Sequence, residues 1–130
     1  MRQLELWSGT RALALLFISV CSLVNAEISV VDDRGKRITL SAPARRIVSL
    51  APHATELLFT IGAGKHIVGA SSGSDYPIEA SQLPSTGNSA RLDIERITLL
   101  KPDLIVAWIS GNNPRQIAQL RKQGYAVFRS

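Results

Sequence analysis

Gly69-Ala70-Ser71-Ser72-Gly73 has the Gly-x-Ser-x-Gly spacing of a nucleophile elbow and follows an apolar run. In that motif the serine sits on a sharp turn between strand and helix, and a later histidine takes its proton. Here Ser74-Asp75-Tyr76-Pro77 follows, which starts a helix poorly, and both histidines, His53 and His66, precede the serine. A serine hydrolase acting through Ser71 therefore rests on spacing alone, and the serines read as loop hydroxyls. The same two histidines lie thirteen residues apart and the chain has one cysteine, Cys21, so no zinc framework forms. No Gly-x-x-x-x-Gly-Lys-Ser/Thr loop is present to cradle a phosphate. What remains is recognition without catalysis. Trp108 ends an apolar run just before Gly111-Asn112-Asn113. An indole in that position is either core or a flat wall for a large planar ligand.

The elements that position these residues follow from pattern. Ile28 to Val31 and Arg37 to Leu40 read as strands of a β-hairpin, turned by Asp32-Asp33-Arg34-Gly35-Lys36. Ser41 to Arg46 reads as a linker and Ile47 to Leu50 as a short strand. Pro52 opens a helix over His53 to Ile61, whose Leu57, Leu58 and Ile61 share one face, and Gly62-Ala63-Gly64 stops it. Ile67 to Ala70 is the next strand, Ser71 to Pro77 a loop, and Ile78 to Gln82 a short helical turn. Asp93 caps a helix running to Leu100, which Pro102 ends. Leu104 to Trp108 is a buried-type strand. Pro114 starts a helix to Gln123, with Gly124 beyond it, and Tyr125 to Phe128 is a last strand.

Strands alternating with helices imply an α/β fold, with a mostly parallel sheet, helices on both faces and the hairpin in front. Ligands of such sheets sit at the carboxyl ends of the strands. Three loops leave those ends, after Leu50, after Ala70 and after Val106, and they carry His53, Ser71, Ser72, Gly73 and Trp108.

The 130 residues are 45% hydrophobic and 19% charged, enough for one domain with a core and unlike a disordered tail. The net charge of +5 is scattered along the chain without interleaved aromatics, which argues for a solvated surface and against nucleic acid as a partner. Near the start, Arg2 and Arg11 precede the apolar run Ala12 to Val20, and Val24-Asn25-Ala26 follows. This is the three-part pattern of an export signal, and the run is too short to span a bilayer. Cleavage after Ala26 is expected, leaving residues 27–130 without a cysteine. Val20 is bulky where a lipoprotein signal wants a small residue before Cys21, so simple cleavage is preferred to lipidation.

Arg46 to Leu57 (RIVSLAPHATEL) resembles the opening of the periplasmic binding proteins for iron-siderophores, haem and cobalamin. Val68 to Pro77 (VGASSGSDYP), Glu95-Arg96-Ile97 and Leu100 to Trp108 (LKPDLIVAW) continue the resemblance, which runs from about Arg45 to Ser130. Ser71-Ser72-x-Ser74-Asp75-Tyr76-Pro77 and the Ala107-Trp108 ending are most similar to the cobalamin branch. The resemblance implies the N-terminal lobe of a two-lobed receptor whose lobes are joined by a long helix. It implies a monomer that binds cobalamin or a related metal chelate and delivers it to the permease of an ABC importer. The chelate is cargo, and no resident cofactor is implied. Trp108, Ser72, Gly73, Pro52 and His53 are the implied ligand-binding residues. Glu95 is the implied docking residue for permease arginines, and Tyr76 is the candidate metal ligand if the cargo is haem. Two positions depart from the cobalamin branch: Gly73 replaces a tyrosine and Gly87 a loop tryptophan, in a loop two residues longer. A second lobe and interlobe helix do not fit within the 130 residues, so a fragment is expected.

Overall fold

A computed structural model describes residues 26–130. The expected export signal, with Cys21 and all of its cleavage site but Ala26, lies outside the described residues. Among those residues no helix is long and apolar enough to cross a membrane.

Strands β1 (Ile28–Val31) and β2 (Arg37–Leu40) pair antiparallel, with Ile28 opposite Leu40 and Val30 opposite Ile38. Alternation puts these four apolar residues on one face of the hairpin. Its turn is built on Asp32, a buried residue whose Oδ1 accepts the backbone N–H of Arg34 (3.0 Å) and of Lys36 (2.8 Å). Oδ2 accepts from Arg121 Nη2 at 3.3 Å and from Arg129 Nε at 3.2 Å. Burial alone would raise the Asp32 pKa. The Lys36 N–H, the Arg129 guanidinium and the Arg34 N–H outweigh it and hold the carboxyl below its ordinary value. One carboxylate thus clamps the hairpin to the far end of the chain.

A second sheet holds β3 (Ile47–Ser49), β4 (Ile67–Ala70), β5 (Leu104–Ala107) and β6 (Val127–Arg129), in the order β4-β3-β5-β6. All its pairings are parallel, and the hairpin forms a sheet of its own. The connecting helices are α1 (Pro52–Thr60), α2 (Ile94–Leu100) and α3 (Pro114–Lys122). Several expected boundaries shift by one or two residues: β3 ends at Ser49 instead of Leu50, α3 at Lys122 instead of Gln123 and β6 at Arg129 instead of Phe128. The last strand starts at Val127 instead of Tyr125, because the Tyr125 N–H bonds to the Leu120 carbonyl and finishes the end of α3. Trp108 falls one residue beyond β5.

The face under α2 and α3 is the larger core. Val48, Leu50, Ile105 and Ala107 from the β3 and β5 segments meet Ile97, Ile117 and Leu120 there, all buried. The opposite face carries a smaller cluster of Ile47, Leu58 and Ile67 beneath α1. At the amino ends of the strands, Asp103 accepts the backbone N–H groups of Arg45 (2.8 Å) and Arg46 (3.0 Å). The Arg46 guanidinium donates to the Leu100 carbonyl at 2.7 Å, closing the end of α2. These ties leave the carboxyl ends to the loops that carry the candidate site.

Candidate ligand-binding site

Three segments make the carboxyl edge of the sheet: Leu50 to Pro52 after β3, Ser71 to Ser74 after β4 and Trp108 to Asn112 after β5. Buried hydroxyls lock the first two together. Thr55 Oγ1 lies 2.9 Å from Ser49 Oγ, 3.1 Å from the Ala51 carbonyl and 3.1 Å from Ser74 Oγ. The Ser71 N–H donates to the Ser49 carbonyl at 2.8 Å. Asn112 locks the third segment. Its Oδ1 accepts the Trp108 N–H at 2.7 Å, and its Nδ2 donates to the Leu50 and Ser89 carbonyls, each at 2.9 Å. Gln116 grips the neighbouring loop at both ends of its amide, exchanging hydrogen bonds with the backbone of Leu92 at 2.8 and 2.9 Å. Hydroxyls and amides that spend their hydrogen bonds on backbone in this way fix loop shape and leave little capacity for a ligand.

The wall side chains stand on this frame. Trp108 is 36% exposed, and its ring stands edge to face with the His53 imidazole at 5.2 Å and 82°. The ring lies so close over Gly111 that a Cβ there would overlap it. His53 is the second residue of α1 and exposed, with Pro52 before it. A Cβ on Gly73 would lie 4.0 Å from Pro52 Cγ. Ser72 and Gly73 are exposed. Trp108, His53, Pro52, Gly73 and Ser72 therefore form a continuous rim across the ends of β5, β3 and β4.

The two ends of the rim line different hollows. Ser72 lines an open one of about 630 Å³ with Gly87, Arg91 and Glu95. Trp108 lines one of about 360 Å³ with Arg34, Arg121 and Arg129. Burial and then the neighbouring Arg129 charge hold the Arg121 pKa below its ordinary value. Glu95 is exposed in the first turn of α2, whose Asp93 cap accepts the Arg96 N–H at 2.9 Å. Tyr76 is 71% exposed on the outer part of its loop and lines neither hollow.

Both glycines that depart from the expected pattern are held in conformations side chains avoid. Gly73 has φ +85°, and Gly87 has φ +91° with its Cβ position blocked by the Arg91 carbonyl. The loops are built around glycine, so restoring an aromatic at either place would require a different backbone. Ser71 is no elbow nucleophile: it is buried, a turn follows it where a helix is needed, and its Oγ lies 3.4 Å from the Ser72 carbonyl. Asn112 and Gln116 escaped the sequence reading. The asparagine-rich loop signals a turn, but nothing local says that one of its side chains holds three segments together.

Known proteins are similar to this chain in sequence and fold. A family model described as periplasmic binding protein covers residues 47–129. The vitamin B12-binding protein of Vibrio cholerae serotype O1 is 49% identical over 88 residues, which are 68% of this chain and 32% of that relative. The crystal structure of the periplasmic vitamin B12 binding protein BtuF of Vibrio cholerae superposes with TM-score 0.66 at 49% identity, covering 68% of this chain and 34% of that one. The apo periplasmic heme-binding protein RhuT from Roseiflexus sp. RS-1 superposes with TM-score 0.62 at 34% identity, covering 66% of this chain and 33% of that one. The chain spans about a third of the length of the curated relatives it matches.

Proposed function

We propose that this chain, which belongs to the periplasmic binding protein family, supplies one wall of a cobalamin-binding cleft in the receptor of an ABC importer. The observation that carries the ligand is the 49% identity to a vitamin B12-binding protein over two-thirds of the chain. The rim from Trp108 to Ser72 fits the role. A corrin is broad and flat, and an indole held by His53 and Gly111 offers fixed apolar area without ordering cost on binding. The protein binds, carries and releases, with no bond made or broken. It acts in the periplasm after cleavage behind Ala26, as a monomer, and Glu95 meets permease arginines. Intact mass of the periplasmic protein checks the cleavage: a chain starting at Glu27 is expected, and retention of residues 1–26 or a lipid on Cys21 would contradict it.

Haem is the second reading, supported by the 34% identity to a haem-binding protein, and Tyr76 is its candidate metal ligand. A chimera in which residues 27–130 replace the matching part of the Vibrio cholerae relative separates the two. Equilibrium dialysis should show cobalamin retained and haem excluded. Haem retention that is lost in Tyr76→Phe, without cobalamin binding, would move the assignment to haem.

A further inference from the structure

Positive charge that is spread along the sequence is gathered by the fold. Residues 114–130 hold Arg115, Arg121, Lys122 and Arg129 and no carboxylate side chain. The Asp32 clamp fastens the hairpin turn, with Arg34, against two of them. Arg34, Arg121 and Arg129 thus line one hollow, the one of about 360 Å³ beside Trp108, and no carboxylate shares its lining. Most of the remaining lining is apolar, with Ile109, Pro114 and Ile117. Charges beside such a surface are screened less than charges in open water.

Asp32 answers only part of this charge. Its Oδ2 accepts from both Arg121 and Arg129, while its Oδ1 is taken by the backbone of the hairpin turn. Three guanidiniums against one carboxylate leave a surplus of two positive charges. The Arg34 side chain has no ion pair among the described residues. Arg121 Nε is buried without a hydrogen-bond partner, and an unmet donor carries its full desolvation cost. Burial, and then repulsion from Arg129, hold the Arg121 pKa down, as expected of a cation short of counter-charge. The three guanidiniums come from the hairpin turn, α3 and β6, so they approach the hollow from separate elements. A carboxylate pairs with one guanidinium edge. The tetrahedral oxygens of a phosphate group reach donors that converge from several directions.

We propose that the hollow bounded by Arg34, Arg121, Arg129 and Trp108 binds a phosphate group. Trp108 belongs both to this hollow and to the rim. The group is therefore either inorganic phosphate or the phosphodiester of a cobalamin lying on the rim. The second source rests on the proposed ligand, and the site itself does not.

The test titrates inorganic phosphate into the chain purified from the periplasm, with ionic strength held constant by chloride. The readouts are the NMR shifts of the Arg121 and Arg129 Nε–H groups and of the Trp108 indole N–H. These three signals should move together and saturate. Arg34→Gln removes one cation but keeps the clamp, which uses only the Arg34 backbone, and should weaken phosphate at least fivefold. Lys65→Gln removes the same charge from an exposed residue before β4, at the opposite end of the sheet, and should leave affinity unchanged. Shifts that do not saturate, or equal weakening by both variants, would be surface charge alone and would overturn the proposal. Saturation that leaves the Arg121 and Arg129 signals in place would put the anion elsewhere and overturn it too. The chimera with the Vibrio cholerae relative then separates the two sources, by comparing cobalamin with cobinamide, a corrin that lacks the phosphodiester. If Arg34→Gln weakens cobalamin at least threefold and spares cobinamide, the phosphodiester of the cargo occupies the site. If it spares both while phosphate still saturates the hollow, inorganic phosphate is the occupant. A chimera that binds neither corrin would overturn the ligand assignment and leave the phosphate titration to decide the site.

Discussion

The two faces of the parallel sheet are finished to different degrees. Under α2 and α3 the apolar residues of the β3 and β5 segments close into a continuous buried cluster, with Leu50, Ile97, Ile105 and Leu120 shielded from solvent. On the α1 face three buried residues close a small cluster, and beside it lies an open trough between α1 and the hairpin. The difference separates what holds the fold together from what it leaves exposed. Stability resides in the closed face and in the Asp32 clamp that fastens the hairpin to α3 and β6. The half-covered face and the carboxyl edge carry the exposed apolar side chains Leu57, Ile61 and Trp108.

The largest expected effect tests the clamp. Asp32→Ala leaves the Arg121 and Arg129 charges without their shared carboxylate, and should cost about 3–5 kcal/mol in urea unfolding. A loss under 1 kcal/mol would mean that the hairpin is held by apolar contact alone. Next is the contrast between faces. Leu120→Ala, fully buried on the closed face, should cost about 2–5 kcal/mol, and Leu57→Ala on the open face within about 0.5 kcal/mol. Equal losses would erase the distinction between the faces.

Smaller is the pH effect of the clamp. The folded Asp32 pKa is depressed, so its contribution is complete above the unfolded value, near 3.9, and is lost as pH falls from there through the folded value. Thermal midpoints should drop steeply below about pH 4, and Asp32→Asn should flatten that part of the profile. Last is Gly111→Ala, whose methyl meets the Trp108 ring. It should cost about 1–3 kcal/mol if the ring resists, and less if the ring swings outward. The outward swing would show as red-shifted Trp108 emission in residues 27–130, where Trp108 is the only tryptophan.

Local pattern carried the fold. The hairpin, three helices and a parallel sheet follow from alternation, helical stripes, Pro52 and Pro114 at helix starts, and glycines with positive φ at Gly62 and Gly124. The spatial order β4-β3-β5-β6 does not, because local pattern does not say which strands become neighbours. The sequence does not display what depends on long separations. Asp32 meets Arg121 and Arg129 across 89 and 97 residues, and looks in sequence like any turn aspartate. Asn112 is likewise one more loop asparagine until its carbonyl partners, Leu50 and Ser89, are brought to it. The rim residues were legible because they follow strands at one edge, but their division between two hollows was not. Ser72 and Glu95, read as ligand and docking residues, share one hollow, because α2 begins at the same end of the sheet where β4 finishes.

Trp108 is the residue on which the proposed cleft wall depends most, and its removal in the chimera with the Vibrio cholerae relative is the most direct test. Circular dichroism and the unfolding midpoint should stay near those of the parent chimera, because the ring is 36% exposed and lies outside both buried clusters. Cobalamin affinity should fall at least tenfold, about 1.4 kcal/mol or more, as expected for a large aromatic anchor. An unchanged dissociation constant for cobalamin in a folded Trp108→Ala chimera would contradict the account.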